Sequence, residues 1–136
     1  SGGTMRTMSS PRRAVSRVHA FGHAFEGLAY AWRTQPNTRI HSAILFAVVL
    51  VGLWLGLSFT DWAVIALTAG LVFAAELLNT GIEAVVDLAS PELHPLAKAA
   101  KDVAAGAVLI AALTAVAVGL LVLGPRLWVI IAQVFF

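Results

Sequence analysis

Glu76, Asn79, Glu83 and Asp87 stand at intervals of 3, 4 and 4 residues. At 100° per residue these spacings confine all four to one arc of roughly 80° on a helix. Lys101 and Asp102 follow a short Pro-containing loop, Ser90-Pro91-Glu92-Leu93-His94-Pro95. Two carboxylates at the polar end of such a stripe, Glu83 and Asp87, are hard oxygen ligands suited to magnesium, an ion held mostly by water and phosphate oxygens. Lys101 adds a point charge for phosphate. Glu76 lies deeper, and a carboxylate taken out of water is suited to draw a proton from a hydroxyl arriving from an apolar side. Phosphoryl transfer needs positioning and charge neutralisation above all, so these parts suffice for it. The sequence has no Gly-x-x-x-x-Gly-Lys phosphate loop.

The elements that must carry these residues are membrane helices. The chain has 136 residues, of which 60% are hydrophobic and 12% charged, against roughly a quarter charged in soluble proteins. Its apolar stretches reach the ~20 residues a bilayer-spanning helix requires. We expect an all-α membrane protein: an amphipathic surface helix over residues 14–34, then spans over 40–59, 62–88 and 96–124. Together these form one domain, 14–136. Residues 1–13 read as a tag remnant and disordered N-terminus ahead of a start at Met5 or Met8.

The surface helix carries Val15, Val18, Phe21, Phe25, Leu28, Tyr30 and Trp32 with Arg17, His19, His23 and Glu26 between them. Its polar face is mixed rather than basic, which favours docking on the bundle over free adhesion to lipid. Gln35-Pro36-Asn37-Thr38 breaks it. Asp61 is the expected N-cap of the second span, and Gly124-Pro125 the expected end of the third, leaving a tail too short to span. Trp32, Trp54, Trp62 and Trp128 read as interfacial or packing aromatics.

Counted from Trp62 at about 1.5 Å per residue, Glu76 lies roughly 21 Å and Glu83 roughly 32 Å along a span whose core is about 30 Å thick. The stripe therefore runs from lipid to water. A carboxylate at the depth of Glu76 costs several kcal/mol unless partnered, so it is a functional residue by default. Interhelical hydrogen bonding is the structural alternative. His41, just inside the first span, reads as an interfacial or interhelical hydrogen bonder. His19 and His23 have zinc-ligand spacing but no third ligand in their segment.

Six arginines precede the first span, none lies in the first turn, and Lys98 and Lys101 follow the second span. The positive-inside rule puts the N-terminus and the second loop in the cytoplasm. The net charge of +2 is accounted for in this way, with no nucleic-acid partner. Cysteine is absent, which excludes disulfides and thiolate chemistry.

Glu76-Leu77-Leu78-Asn79-Thr80-Gly81-Ile82-Glu83-Ala84-Val85-Val86-Asp87, followed by His94-Pro95-Leu96-Ala97-Lys98-Ala99-Ala100-Lys101-Asp102, closely resembles the signature of the small bacterial integral-membrane diacylglycerol kinase family. The resemblance implies a homotrimer of three-span subunits in the bacterial cytoplasmic (inner) membrane, ATP as co-substrate, magnesium as cofactor, and active sites shared between subunits. By position it makes Glu76 the catalytic base and Glu83 a metal ligand that also approaches the nucleotide. Asn79 becomes a supporting residue, beside Asp87, and Glu92, His94, Lys101 and Asp102 become nucleotide contacts. The family's second metal-binding glutamate is Gln35 here, which keeps an oxygen ligand but removes one charge. Arg17 is a possible basic contact to the nucleotide, and His23, where tyrosine is common, could stack on adenine. Ala24-Phe25-Glu26-Gly27-Leu28 and Asn37-Thr38-Arg39-Ile40-His41 resemble the undecaprenol kinase-like branch more than the enterobacterial diacylglycerol enzymes. Undecaprenol is thus the first expected substrate and diacylglycerol the second. Two other classes remain open: a proton or cation pathway, which also uses buried carboxylates in line, and an inactive membrane scaffold, for which Gln35 is the one hint.

Overall fold

The structure, a computed structural model, describes residues 17–135. The expected N-terminal remnant (1–13) and the first residues expected in the surface helix (14–16) lie outside them. Four helices follow one another: α1 (Arg17–Thr34), α2 (Pro36–Leu55), α3 (Phe59–Ala89) and α4 (Pro95–Phe135). Among the described residues there is no strand. α2, α3 and α4 are each long and apolar enough to cross a membrane.

Their boundaries differ from the sequence expectation on all three spans: at both ends of α2, at the start of α3 and at the end of α4. α2 begins at Pro36 rather than residue 40, because only Gln35 is extended (φ −111°, ψ 109°) and the proline occupies the first helical turn, where its missing N–H goes unnoticed. It ends at Leu55, closed by Gly56 in the left-handed region (φ 64°, ψ 53°), a conformation glycine adopts without a Cβ penalty. The N-cap of α3 is Ser58 and not Asp61. Ser58 Oγ accepts from the Asp61 N–H at 3.1 Å, while Asp61 Oδ2 accepts from the Ser58 N–H at 3.2 Å. Asp61 is thus the third-position half of a capping box.

The third correction is the largest. α4 does not stop at Gly124-Pro125 but runs through Pro125 to Phe135. In an apolar surrounding the backbone has no water to bond with, so continuing the helix with one missing N–H costs less than unwinding it. Arg126 reinforces this by placing Nη2 2.8 Å from Asp61 Oδ2 at the start of α3.

α2 and α3 are antiparallel, joined through Gly56-Leu57-Ser58. Near that turn Gly52 permits a close approach: a Cβ there would lie 2.8 Å from both Leu57 Cδ1 and Trp62 Cη2. α3 and α4 share the most extensive contact in the chain. Ala104 and Ala111 of α4 are buried, and Ala74 and Ala75 of α3 share a groove with Ala99, Ala100 and Ala107, the small-residue packing expected of membrane helices. α1 docks only by its second half. Ala31 is buried, and Ala24, Gly27 and Ala31 face Thr80, Gly81 and Ala84 of α3 across a small cleft. Val18, Phe21 and Phe25 remain exposed, so the docking expected for the whole surface helix holds for its last turns.

Candidate functional site

The stripe on α3 grades from buried to exposed as its spacing demands. Glu76 and Asn79 are buried, Glu83 is half-buried and Asp87 is exposed. Glu76 is the most thoroughly sealed large side chain among the described residues, 2% exposed. Its own helix provides little for the carboxylate, since Thr80 Oγ1 donates instead to the Glu76 main-chain carbonyl at 2.9 Å.

The partner comes from α2. His41 Nδ1 lies 3.0 Å from Glu76 Oε1. The two atoms are close but not aligned as a hydrogen bond, and each is sealed from solvent without a hydrogen-bond partner. One turn away on each helix, Thr38 Oγ1 and Asn79 Oδ1 are in the same condition. Because the helices are antiparallel, residues 38 and 79 share a level just as 41 and 76 do. Four of the five sealed, unpartnered side-chain atoms among the described residues thus belong to two adjacent levels of α2 and α3. Buried polar groups without partners cost about 1–3 kcal/mol each, so these atoms are open to a polar group from a ligand or a neighbouring chain.

Further along α3, Asn79 Nδ2 donates to Glu83 Oε1 at 3.1 Å. This orients one carboxylate oxygen and leaves the other available. Asp87 pairs with Lys101 of α4, and Lys98 pairs with Asp102 one turn apart. The end of α3 and the start of α4 therefore present alternating charges at one end of the bundle. The Asp87 charge is already matched by lysine, which makes Glu83 the better metal ligand of the two. His94 Nδ1 accepts from the Leu96 N–H at 3.1 Å and so caps the start of α4. Glu92 is exposed in the loop, its carbonyl accepting from Ser90 Oγ at 2.9 Å.

Gln35 sits at the corner between α1 and α2, one turn past Ala31. Its main-chain N–H donates to the Ala31 carbonyl at 2.9 Å. Arg17 and His23 lie on the exposed part of α1, with His23 Nδ1 3.5 Å from Glu26 Oε2. The fold joins Glu76, Asn79 and Glu83 in one stripe and ties Asp87 to Lys101. It records no side-chain contact of Gln35, Arg17 or His23 with that stripe. Sequence reasoning missed Thr38 and His41 as site residues. The available signal was their i, i+3 spacing at the polar start of an otherwise apolar helix.

No three His, Asp or Glu side chains come together as a metal cage among the described residues. Magnesium needs none, since one or two carboxylates with substrate phosphates hold it. Glu83 fits that requirement, half-buried with a free oxygen.

Comparison with known proteins places this geometry in a family. Over 108 residues the chain is 45% identical to an undecaprenol kinase of Bacillus subtilis, covering 79% of this chain and 88% of that protein. It is 50% identical over 115 residues to a diacylglycerol kinase of Synechocystis, covering 84% of this chain and 66% of that protein. To a diacylglycerol kinase of Escherichia coli K12 it is 34% identical over 99 residues, 73% of this chain and 81% of that protein. With the prokaryotic diacylglycerol kinase profile matching residues 22–123, the chain belongs to that family.

Proposed function

We propose that this protein transfers the terminal phosphoryl group of ATP to the hydroxyl of a membrane lipid alcohol, undecaprenol ahead of diacylglycerol. One observation carries the reading: a sealed carboxylate, Glu76, lies on the same helical face as the Asn79–Glu83 pair that leads to the charged end of the bundle. A single helix thereby connects a place for a lipid-soluble hydroxyl to a place for a water-soluble phosphate donor.

In the reaction Glu76 takes the proton of the lipid hydroxyl, and the hydroxyl oxygen forms a bond to the terminal phosphorus of ATP. The bond from that phosphorus to its bridging oxygen breaks and ADP leaves. Asn79 holds Glu83 by the hydrogen bond described above. Glu83, with the Gln35 amide oxygen, would hold magnesium, which neutralises phosphate charge when bound. Lys101, released from Asp87, supplies positive charge for the phosphates, and Asp102, Glu92, His94, Arg17 and His23 complete the nucleotide contacts. The apolar groove between α3 and α4, of about 790 Å3 and lined in part by Leu71, Leu78, Ile82 and Val103, is suited to a lipid chain.

The site faces the cytoplasm in this reading, because Arg33, Arg39, Lys98 and Lys101 lie towards its end of the bundle and, among the described residues, only Arg126 at the other. A homotrimer supplies further partners for the open polar atoms, which a single chain leaves unpaired in an apolar surrounding. Undecaprenol ranks first because the Bacillus relative is matched over most of its length and the segments around Phe25 and His41 resemble that branch.

A proton relay is disfavoured by a specific contact. The one polar side chain between Trp62 and Glu76 is Thr68, and its hydroxyl is spent on the Val64 carbonyl at 2.7 Å. Purified protein offered labelled ATP with undecaprenol or diacylglycerol in parallel tests the proposal. Label should enter the lipid fraction, faster with undecaprenol. Label in neither lipid would end the kinase reading, and faster labelling of diacylglycerol would reverse the substrate order.

A further inference from the structure

We infer that His41 is the positioning residue for Glu76: it holds Oε1 of the carboxylate so that the other oxygen, Oε2, faces the acceptor hydroxyl. The inference rests on Glu76 being the base, and the experiment below separates the two.

Three observations point this way. First, His41 is, among the described residues, the one basic group paired with the Glu76 carboxylate, from another helix and at 3.0 Å, and Glu76 has almost no solvent to orient it. A carboxylate on a three-bond side chain otherwise has several rotamers to choose from, and a base must sit within hydrogen-bond reach of the proton it takes. Second, the contact is closed to solvent. Nδ1 and Oε1 stand at ion-pair distance and both atoms are sealed from solvent, so no water competes with His41 for Oε1. Third, polar atoms one turn away on each helix are without partners: Thr38 Oγ1 on α2 and Asn79 Oδ1 on α3 are sealed and unbonded. A hydroxyl, which donates one hydrogen bond and accepts others, can use such atoms; a lipid chain cannot.

The ring atom involved gives the test its resolution. Asparagine places its amide nitrogen close to where Nδ1 stands, whereas the longer glutamine places it nearer the site of Nε2. The panel is His41→Ala, His41→Asn, His41→Gln and Glu76→Gln, each measured for kcat, for KM toward ATP and lipid, and for thermal unfolding in micelles. His41→Ala should lower kcat by about 10²-fold, the effect of misplacing a reacting group by roughly 1 Å, with KM for ATP unchanged. His41→Asn should recover most of the lost turnover and His41→Gln little of it.

Equal kcat in the Asn and Gln variants would overturn the inference even if the Ala variant fails to fold. So would an Ala variant at parental kcat while Glu76→Gln is inactive, and in that case the base assignment survives alone. Parental kcat in Glu76→Gln would instead remove the base itself, and the role of His41 with it.

Discussion

The contact between α2 and α3 has two ends built on opposite terms. At the turn, Gly52 lets Trp62 and Leu57 close in, Ser58 and Asp61 satisfy each other, and Arg126 of α4 reaches across to Asp61. Of the polar atoms there, only Arg126 Nη1 is sealed without a partner. At the other end, Thr38, His41, Glu76 and Asn79 each keep an open polar atom inside the bundle. One end is finished in the isolated chain and the other is left with open polar atoms. The lesson is that the finished end sets the register, and the register is what delivers His41 to Glu76. Strain and unsatisfied polarity persist at a site only when the surrounding structure over-determines it.

This division can be attacked from either end. The largest effect should come from Glu76→Gln, which keeps shape and burial but removes the base. Phosphate transfer should fall by about 10²- to 10⁴-fold while the unfolding temperature in micelles stays level or rises, since a buried charge has gone. A collapse in stability together with activity would show that the open end is structural after all. Next, Asn79→Ala releases the Glu83 carboxylate. A magnesium titration of the kinase rate should then shift to higher concentration by about 10- to 100-fold, the usual cost of losing a group that orients a metal ligand.

At the finished end the expected readout is stability. Gly52→Val puts a branched side chain where even a Cβ meets Trp62 and Leu57 at 2.8 Å. Overpacking of this kind costs about 1–3 kcal/mol, visible as a lower unfolding temperature. If the helices separate enough to relieve the clash, turnover falls as well, because the register is lost. The smallest effect belongs to Ser58→Ala, which removes a capping side chain worth about 1 kcal/mol and should leave turnover at permissive temperature untouched. Lost activity in that variant at an unchanged unfolding temperature would contradict the division between the two ends.

Much of this was readable along the chain. Long uncharged runs bounded by arginine, aspartate and proline announce three spans, and the 3, 4, 4 spacing from Glu76 to Asp87 is a helical face whatever surrounds it. Both depend on local geometry alone: a helix is periodic, and a bilayer has a thickness. The ends of the helices were less legible. Asp61 reads as a cap when Ser58 is overlooked, and Gly124-Pro125 reads as a stop in water, where the freed carbonyl would be solvated.

What only the tertiary structure decided is pairing between helices. Nothing in the spacing of α2 says that its residue 41 meets residue 76 of α3, nor that Lys101 meets Asp87 while Lys98 meets Asp102. Such pairs depend on the length of the turn at Gly56 and on how closely Gly52 lets the next helix approach, and these act across 11 residues of α2, from Gly52 to His41, and 14 of α3, from Trp62 to Glu76. The sequence by itself determined which residues share a face of α3. The fold determined what that face is turned toward, because helical period is a property of one segment and register is a property of two.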